Sequence, residues 1–64
     1  MQELTARGAR EIDICLRTIY AHKKEFKVNV CEDEKGRVYY RVELDIDQDE
    51  YDSINREYEM QIKK

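Results

Sequence analysis

The strongest constraint on the fold is a change in the spacing of apolar residues at Glu25, from a period of about 3.6 to a period of about two. Residues 26 to 31 alternate apolar and polar side chains, and residues 38 to 46 do the same. Between these runs, the segment DEKG at residues 33 to 36 suits a type I turn closed by a glycine in the left-handed conformation. The pattern predicts a β-hairpin.

The turn also predicts the register of this hairpin, because it places Asp33 opposite Arg37. The pairs that follow are Val30 with Tyr40, Val28 with Val42 and Phe26 with Leu44 on one face, and Lys27 with Glu43 on the other. A slip of one residue would move the whole apolar set into water. The register is therefore well specified.

A helix is predicted on each side of the hairpin. The first runs over residues 6 to 23 with Thr5 as its N-cap, on an apolar stripe of Leu4, Gly8, Ile12, Cys15, Leu16 and Ile19. The second starts at Asp47, with Glu50 in the capping-box position, and its stripe is Tyr51, Ile54, Tyr58 and Ile62.

These elements predict one small α+β domain over residues 1 to 64, in the order helix, hairpin, helix (αββα). Both helices lie on one face of a two-stranded antiparallel sheet, which edge pairing in a homodimer would extend to four strands. The predicted core consists of Leu4, Ile12, Leu16, Ile19, Phe26, Val28, Val30, Tyr40, Val42, Leu44, Ile54 and Tyr58.

Length and residue usage argue against catalysis. A chain of 64 residues cannot enclose a deep cleft, and His22, Cys15 and Cys31 form no recognisable nucleophile arrangement. No metal or cofactor motif is present: Asp45, Asp47 and Asp49 match the first ligands of a calcium loop, but its later glycine and glutamate positions do not match. We expect no enzyme and no cofactor. Two unpaired cysteines and no apolar leader predict a cytoplasmic location.

The segment ELDIDQDEYD, residues 43 to 52, contains six carboxylates in ten residues. Two interpretations stay open: a solvated strand face followed by a helix cap, or a surface that steers a basic partner towards it. In the second, the partner-binding residues are Glu43, Asp45, Asp47, Asp49, Glu50 and Asp52, with Tyr39, Arg41 and Tyr51 as anchors. The expected partner is a protein, basic and nucleic-acid-handling; no membrane is involved.

An alternative function uses the other sign of charge. Residues 1 to 24 carry five basic and three acidic groups, whereas residues 25 to 64 carry seven basic and twelve acidic groups. Arg7, Arg10 and Arg17 are expected on the polar face of the first helix. Such a face could serve a nucleic-acid-binding or regulatory homodimer. A third possibility is a structural subunit whose sheet edges pair with another chain.

In general character the chain resembles the small inhibitor proteins of phages and mobile elements, including anti-CRISPR and DNA-mimic proteins. The resemblance covers composition only: a tiny, acidic, single-domain chain with a net charge of −3 and no catalytic apparatus. It implies inhibition of a nucleic-acid-handling protein through the acidic segment.

Overall fold

A computed structural model describes residues 2–63 and shows a mixed α+β fold. Its elements are β1 (Gln2–Ala6), α1 (Ala9–Ala21), β2 (Phe26–Glu32), β3 (Val38–Leu44) and α2 (Gln48–Ile62). The strands form one antiparallel sheet in the order β1-β3-β2. The α+β class and the two helices are confirmed, but the sheet has three strands instead of the predicted two, and the chain order is not αββα.

The hairpin of β2 and β3 forms in the predicted register. Val28 lies opposite Val42, and Lys27 lies opposite Glu43. The turn closes through a hydrogen bond from the Asp33 amide to the Arg37 carbonyl, 3.0 Å long. Gly36 adopts a φ of 78°, the left-handed conformation that the turn requires. Local turn chemistry and side-chain alternation were sufficient to predict this unit.

The first strand, β1, corrects the prediction for the N-terminal residues. Thr5 is not a helix N-cap but a strand residue opposite Arg41, and Leu4 pairs with Val42. Leu4 and Ala6 are buried while Thr5 between them is exposed, which is the period of a strand. A five-residue segment is too short for this alternation to be told from the helical spacing of Leu4, Gly8 and Ile12.

Helix α1 is consequently shorter than predicted at both ends. Gly8, with a φ of 92°, stands at the N-cap position and redirects the chain out of the sheet. The helix ends at Ala21, and Lys23 adopts a left-handed φ of 57°. The amide of Lys23 donates to the Tyr20 carbonyl at 3.0 Å, as is common where helices end in a left-handed residue.

Helix α2 begins as predicted. Asp47 is its N-cap, and one carboxylate oxygen accepts a hydrogen bond of 2.8 Å from the Glu50 amide. Its buried residues, Ile54 and Tyr58, face the sheet and α1. Arg10 near the start of α1 donates to the Ile62 carbonyl at the end of α2, so the two helices run antiparallel.

The core lies between the two helices and the β1–β3 half of the sheet. Its buried residues are Leu4, Ala6, Cys15, Ile19, Val42, Leu44, Ile54 and Tyr58. Of the other predicted core residues, Ile12, Leu16, Phe26 and Tyr40 are partly buried. Val28 and Val30 are wrong predictions, since they are 36% and 69% exposed. Both helices pack against β1, which the sequence did not reveal as a strand, and they leave β2 uncovered at Val28 and Val30.

Candidate acidic interface

Six carboxylates surround the junction between β3 and α2, and we call this set the acidic corner. Its members are Glu43, Asp45, Asp47, Asp49, Glu50 and Asp52. The sheet and the helix position them differently: Glu43 belongs to the helix-free face of β3, whereas Asp49 and Glu50 occupy the first turn of α2. The positive end of the α2 dipole favours negative charge in this first turn.

Three members of the acidic corner have structural partners. Asp47 caps α2. Glu50 forms an ion pair of 2.6 Å with the ammonium of Lys24, in the segment that joins α1 to β2. Glu43, whose side chain is only 22% exposed, lies 3.9 Å from Arg41. These three carboxylates therefore contribute to the fold as well as to the charge of the corner.

The other three carboxylates lack a cationic partner within residues 2–63. Asp45 and Asp49 are exposed and accept no hydrogen bond there, while Asp52 accepts one of 2.8 Å from the neutral amide of Gln48. Asp49 and Asp52 are three residues apart on α2, and Asp45 lies between the end of β3 and the α2 cap. Exposed carboxylates without a cationic partner create a negative potential in the surrounding solvent.

A chain of amides connects the corner to the first strand. The Gln2 amide donates to Gln48 at 3.1 Å, and Gln48 in turn donates to Asp52 at 2.8 Å. Sequence reasoning missed both glutamines, because their proximity depends on the pairing of β1 with β3. Once Gln2 is placed opposite Leu44, it lies close to the start of α2.

Tyr51 occupies a structural position and not an exposed one. It is half-buried, and its hydroxyl donates to the Glu3 carbonyl of β1 at 3.1 Å. Burial raises the pKa of its phenol above the ordinary value, and the negative charges of Asp52 and Glu59 act in the same direction. The hydroxyl therefore stays protonated at neutral pH and remains a donor to the sheet.

Tyr39 and Arg41 lie on the helix-free face of the sheet, as their alternation in β3 predicts. The guanidinium of Arg41 is 2.7 Å from a carboxylate oxygen of Glu3, and this bond raises the pKa of the arginine. Arg7 lies over the ring of Tyr39, with its guanidinium carbon 5.1 Å from the ring centre. This face carries both signs of charge.

The three arginines of the alternative interface are not brought together on one helix face. Arg7 lies outside α1, in the connection that follows β1, and contacts Asp33 at 3.5 Å; its predicted helical position is wrong because the helix begins only at Ala9. Arg17 forms an ion pair of 3.1 Å with Asp13 one turn earlier. Arg10 donates to the Ile62 carbonyl. The basic side chains are thus engaged in contacts within the molecule.

The groups considered for catalysis also have structural roles. His22 and Glu57 join the two helices through a contact of 2.6 Å between a ring nitrogen and a carboxylate oxygen. Cys15 is fully buried, and burial raises the pKa of its thiol to about 11, far from the range of a nucleophile at neutral pH.

Residues 2–63 hold no cluster of three or more histidine, cysteine or acidic side chains arranged to bind a metal ion. Within the same residues, neither helix has the length and apolar character needed to cross a membrane. Comparisons with protein-family models, curated proteins and solved structures yield no match for this chain.

Proposed function

We propose that this chain is a small acidic protein-binding module that inhibits or regulates a basic, nucleic-acid-handling protein through the acidic corner. The observation that carries the proposal is the state of Asp45, Asp49 and Asp52: all three are exposed and none has a cationic partner within residues 2–63. A basic partner would supply the missing positive charge.

The physical role of these carboxylates is electrostatic steering. Exposed charges of one sign raise the rate at which an oppositely charged surface is encountered, and the effect weakens as salt screens it. Asp47 and Glu50 support this role because they fix the start of α2, from which Asp49 and Asp52 project. The corner is therefore attached to a defined backbone and needs little reorganisation on binding.

The rest of the proposed contact surface extends along the helix-free face of β3. This face is formed by every second residue of β3: Glu43, which belongs to the acidic corner, and then Arg41 and Tyr39. Tyrosine and arginine are common anchors in protein interfaces because each combines apolar area with hydrogen-bonding groups. Tyr51 links α2 to β1 through its hydrogen bond to the Glu3 carbonyl, and so holds α2 in place beside this surface.

The test compares two triple variants of equal charge. Asp45→Lys, Asp49→Lys and Asp52→Lys reverse the unpaired charges of the corner. Asp13→Lys, Glu34→Lys and Glu59→Lys reverse three exposed carboxylates elsewhere. Both variants, once shown to be folded by circular dichroism, are used with wild type to capture proteins from a lysate of the source cell. Captured proteins are then purified, and their affinities are measured at increasing salt.

The proposal expects a basic nucleic-acid-binding protein that binds wild type and the control variant but not the corner variant, in competition with nucleic acid. If both variants lose affinity equally, the loss is an effect of net charge alone. If the variant with Asp45, Asp49 and Asp52 reversed binds as tightly as wild type, the acidic interface is contradicted. Polarisation titrations with DNA and RNA at about 50 mM salt test direct nucleic-acid binding.

A further inference from the structure

The two edge strands of the sheet, β1 and β2, differ in whether their outward backbone groups have hydrogen-bond partners. Along β1, the carbonyls of Glu3 and Thr5 accept hydrogen bonds of 3.1 Å from the hydroxyls of Tyr51 and Tyr58. Helix α2 therefore occupies the carbonyl acceptors of this edge at Glu3 and Thr5. A further strand could not add to β1 without displacing both tyrosines.

The β2 edge has no such cover. Asp33 and Arg37 form a hydrogen-bonded pair, and such pairs alternate along an antiparallel ladder. The odd-numbered residues of β2 thus bond to β3, and the even-numbered ones, including Val28 and Val30, direct their amides and carbonyls outwards. No hydrogen bond to these outward groups occurs within residues 2–63. An edge strand of seven residues is open.

An apolar patch accompanies this open edge. Val28, Val30 and Val38 are 36%, 69% and 55% exposed, and they lie on the same sheet face as the core. Tyr20 is 67% exposed and packs edge-on against Phe26, with ring centres 5.4 Å apart. The patch is the part of the helix-bearing face that α1 and α2 leave uncovered.

We propose that β2 pairs antiparallel with β2 of a second copy of this chain, which creates a six-stranded sheet. The two-fold axis passes through Val28, so Val28 faces its own copy and Phe26 faces Val30 of the second copy. All these residues direct their backbone groups outwards, as a hydrogen-bonded pairing requires. The exposed Val30 then lies beside Phe26 of the second copy and the Tyr20 ring packed on it.

The sequence of β2 favours this register over its neighbours. Centring the axis on Val28 also brings Lys24, two residues before β2, to the end of the paired strand where Glu32 of the second copy lies, twice by symmetry. Lys24 already contacts Glu50, but an ammonium has three donors and can bond both carboxylates. Axes through Asn29 or Val30 would instead set Glu32 against Phe26 or Val28, which buries a charge against an apolar side chain.

The capped β1 edge explains why the occupant is a second copy in a closed dimer. Head-to-tail pairing of β2 with β1 would give open fibres, but Tyr51 and Tyr58 occupy the acceptors that β1 would need. Pairing of β2 with β2 of the second copy satisfies both open edges, and the outer edges of the six-stranded sheet are then the two capped β1 strands. This inference is independent of the proposed function, because it uses none of the acidic corner except the Lys24 partner Glu50.

The first test measures oligomeric state. Sedimentation equilibrium from about 1 μM to about 1 mM is expected to show a monomer–dimer equilibrium for wild type. Val30→Lys should raise the dimer dissociation constant by about tenfold or more, because it places a charge inside the apolar strip. Met60→Lys is the matched control: Met60 is 62% exposed on α2, and its replacement should change nothing.

A second test uses disulfide formation to determine the register between the two β2 strands, in a Cys31→Ser background. Val28→Cys should form a disulfide between two copies, because paired α-carbons lie about 5.5 Å apart. Asn29→Cys should not, since its copy lies diagonally, at about 8 Å. A wild-type monomer throughout the concentration range, or equal effects of Val30→Lys and Met60→Lys, would overturn the proposal. Crosslinking through position 29 alone would overturn the register. The corner triple variant should dimerise like wild type, so this proposal and the proposed function fail separately.

Discussion

At the scale of single residues, identical side chains acquire different chemistry from their positions. Cys15 is fully buried in the core on α1. Cys31 is only half-buried, on the helix-free face of β2 opposite Tyr39. The apolar pattern of α1 predicts the burial of Cys15, because it lies on the same stripe as Ile19.

The thiols should therefore react at different rates. A thiol reagent added to native protein should modify Cys31 rapidly and Cys15 only at the rate of unfolding, because a buried protonated thiol is not a nucleophile. The release of chromophore over time measures both rates. Cys31→Ser is the control and should abolish the rapid phase; a rapid phase that survives in this variant would contradict the buried position of Cys15.

The buried thiol of Cys15 should also make the free energy of unfolding depend on pH in the alkaline range. The unfolded Cys15 thiol loses its proton near its ordinary pKa of 9.0, whereas the folded thiol, with a pKa of about 11, retains it. The unfolded state thus binds fewer protons, and the free energy of unfolding falls as pH rises from 9 towards 11. Urea titrations across this range should show a shallower fall for Cys15→Ala.

At the scale of elements, the start of α2 combines structural and proposed functional charges. Asp47 bonds the backbone, while Asp45 two residues earlier has no bond within the described residues. A capping signal can be identified from sequence because donor and acceptor are three residues apart. It cannot distinguish a solvated carboxylate from one that contacts a partner, since both are exposed.

Replacement of these two aspartates should separate their roles. Asp47→Ala should lower the free energy of unfolding by about 1 kcal/mol through loss of the helix cap. Asp45→Ala should change it by less than about 0.5 kcal/mol, as expected for an exposed residue without a partner. Chemical denaturation provides both values. Equal losses would mean that Asp45 also stabilises the fold.

At the scale of the whole molecule, β1 closes the core. It pairs with the central strand β3, contacts both helices, and accepts hydrogen bonds from Tyr51 and Tyr58. The burial of the Tyr58 phenol raises its pKa well above the ordinary range, and nearby Glu11 contributes. The first strand therefore determines where the helices lie, and through them which part of β2 stays uncovered.

Truncation in β1 should consequently be costly. Leu4 is 3% exposed, so Leu4→Ala should lower the free energy of unfolding by about 2 to 5 kcal/mol. Val38→Ala is the comparison, because Val38 is 55% exposed. This change should lower the free energy of unfolding by no more than about 0.5 kcal/mol. Urea titrations measure both. A small effect of Leu4→Ala would contradict a buried first strand.

Units whose contacts are close along the chain, or whose apolar residues repeat with a clear period, could be predicted from the sequence. These are the hairpin with its register, the α2 cap, the apolar stripe of α2, and the part of the α1 stripe that starts at Ile12. Turn geometry and side-chain alternation act over a few residues, so they leave a readable pattern.

Long-range packing, by contrast, places Leu4 in a strand, brings Arg7 over Tyr39, and leaves Val30 exposed. Each of these follows from the pairing of β1 with β3, which joins residues as distant as Leu4 and Val42. A five-residue segment carries too few side chains to specify such a distant partner. Packing of the whole chain selects the partner, because only that pairing buries Leu4 and Ala6 beneath both helices.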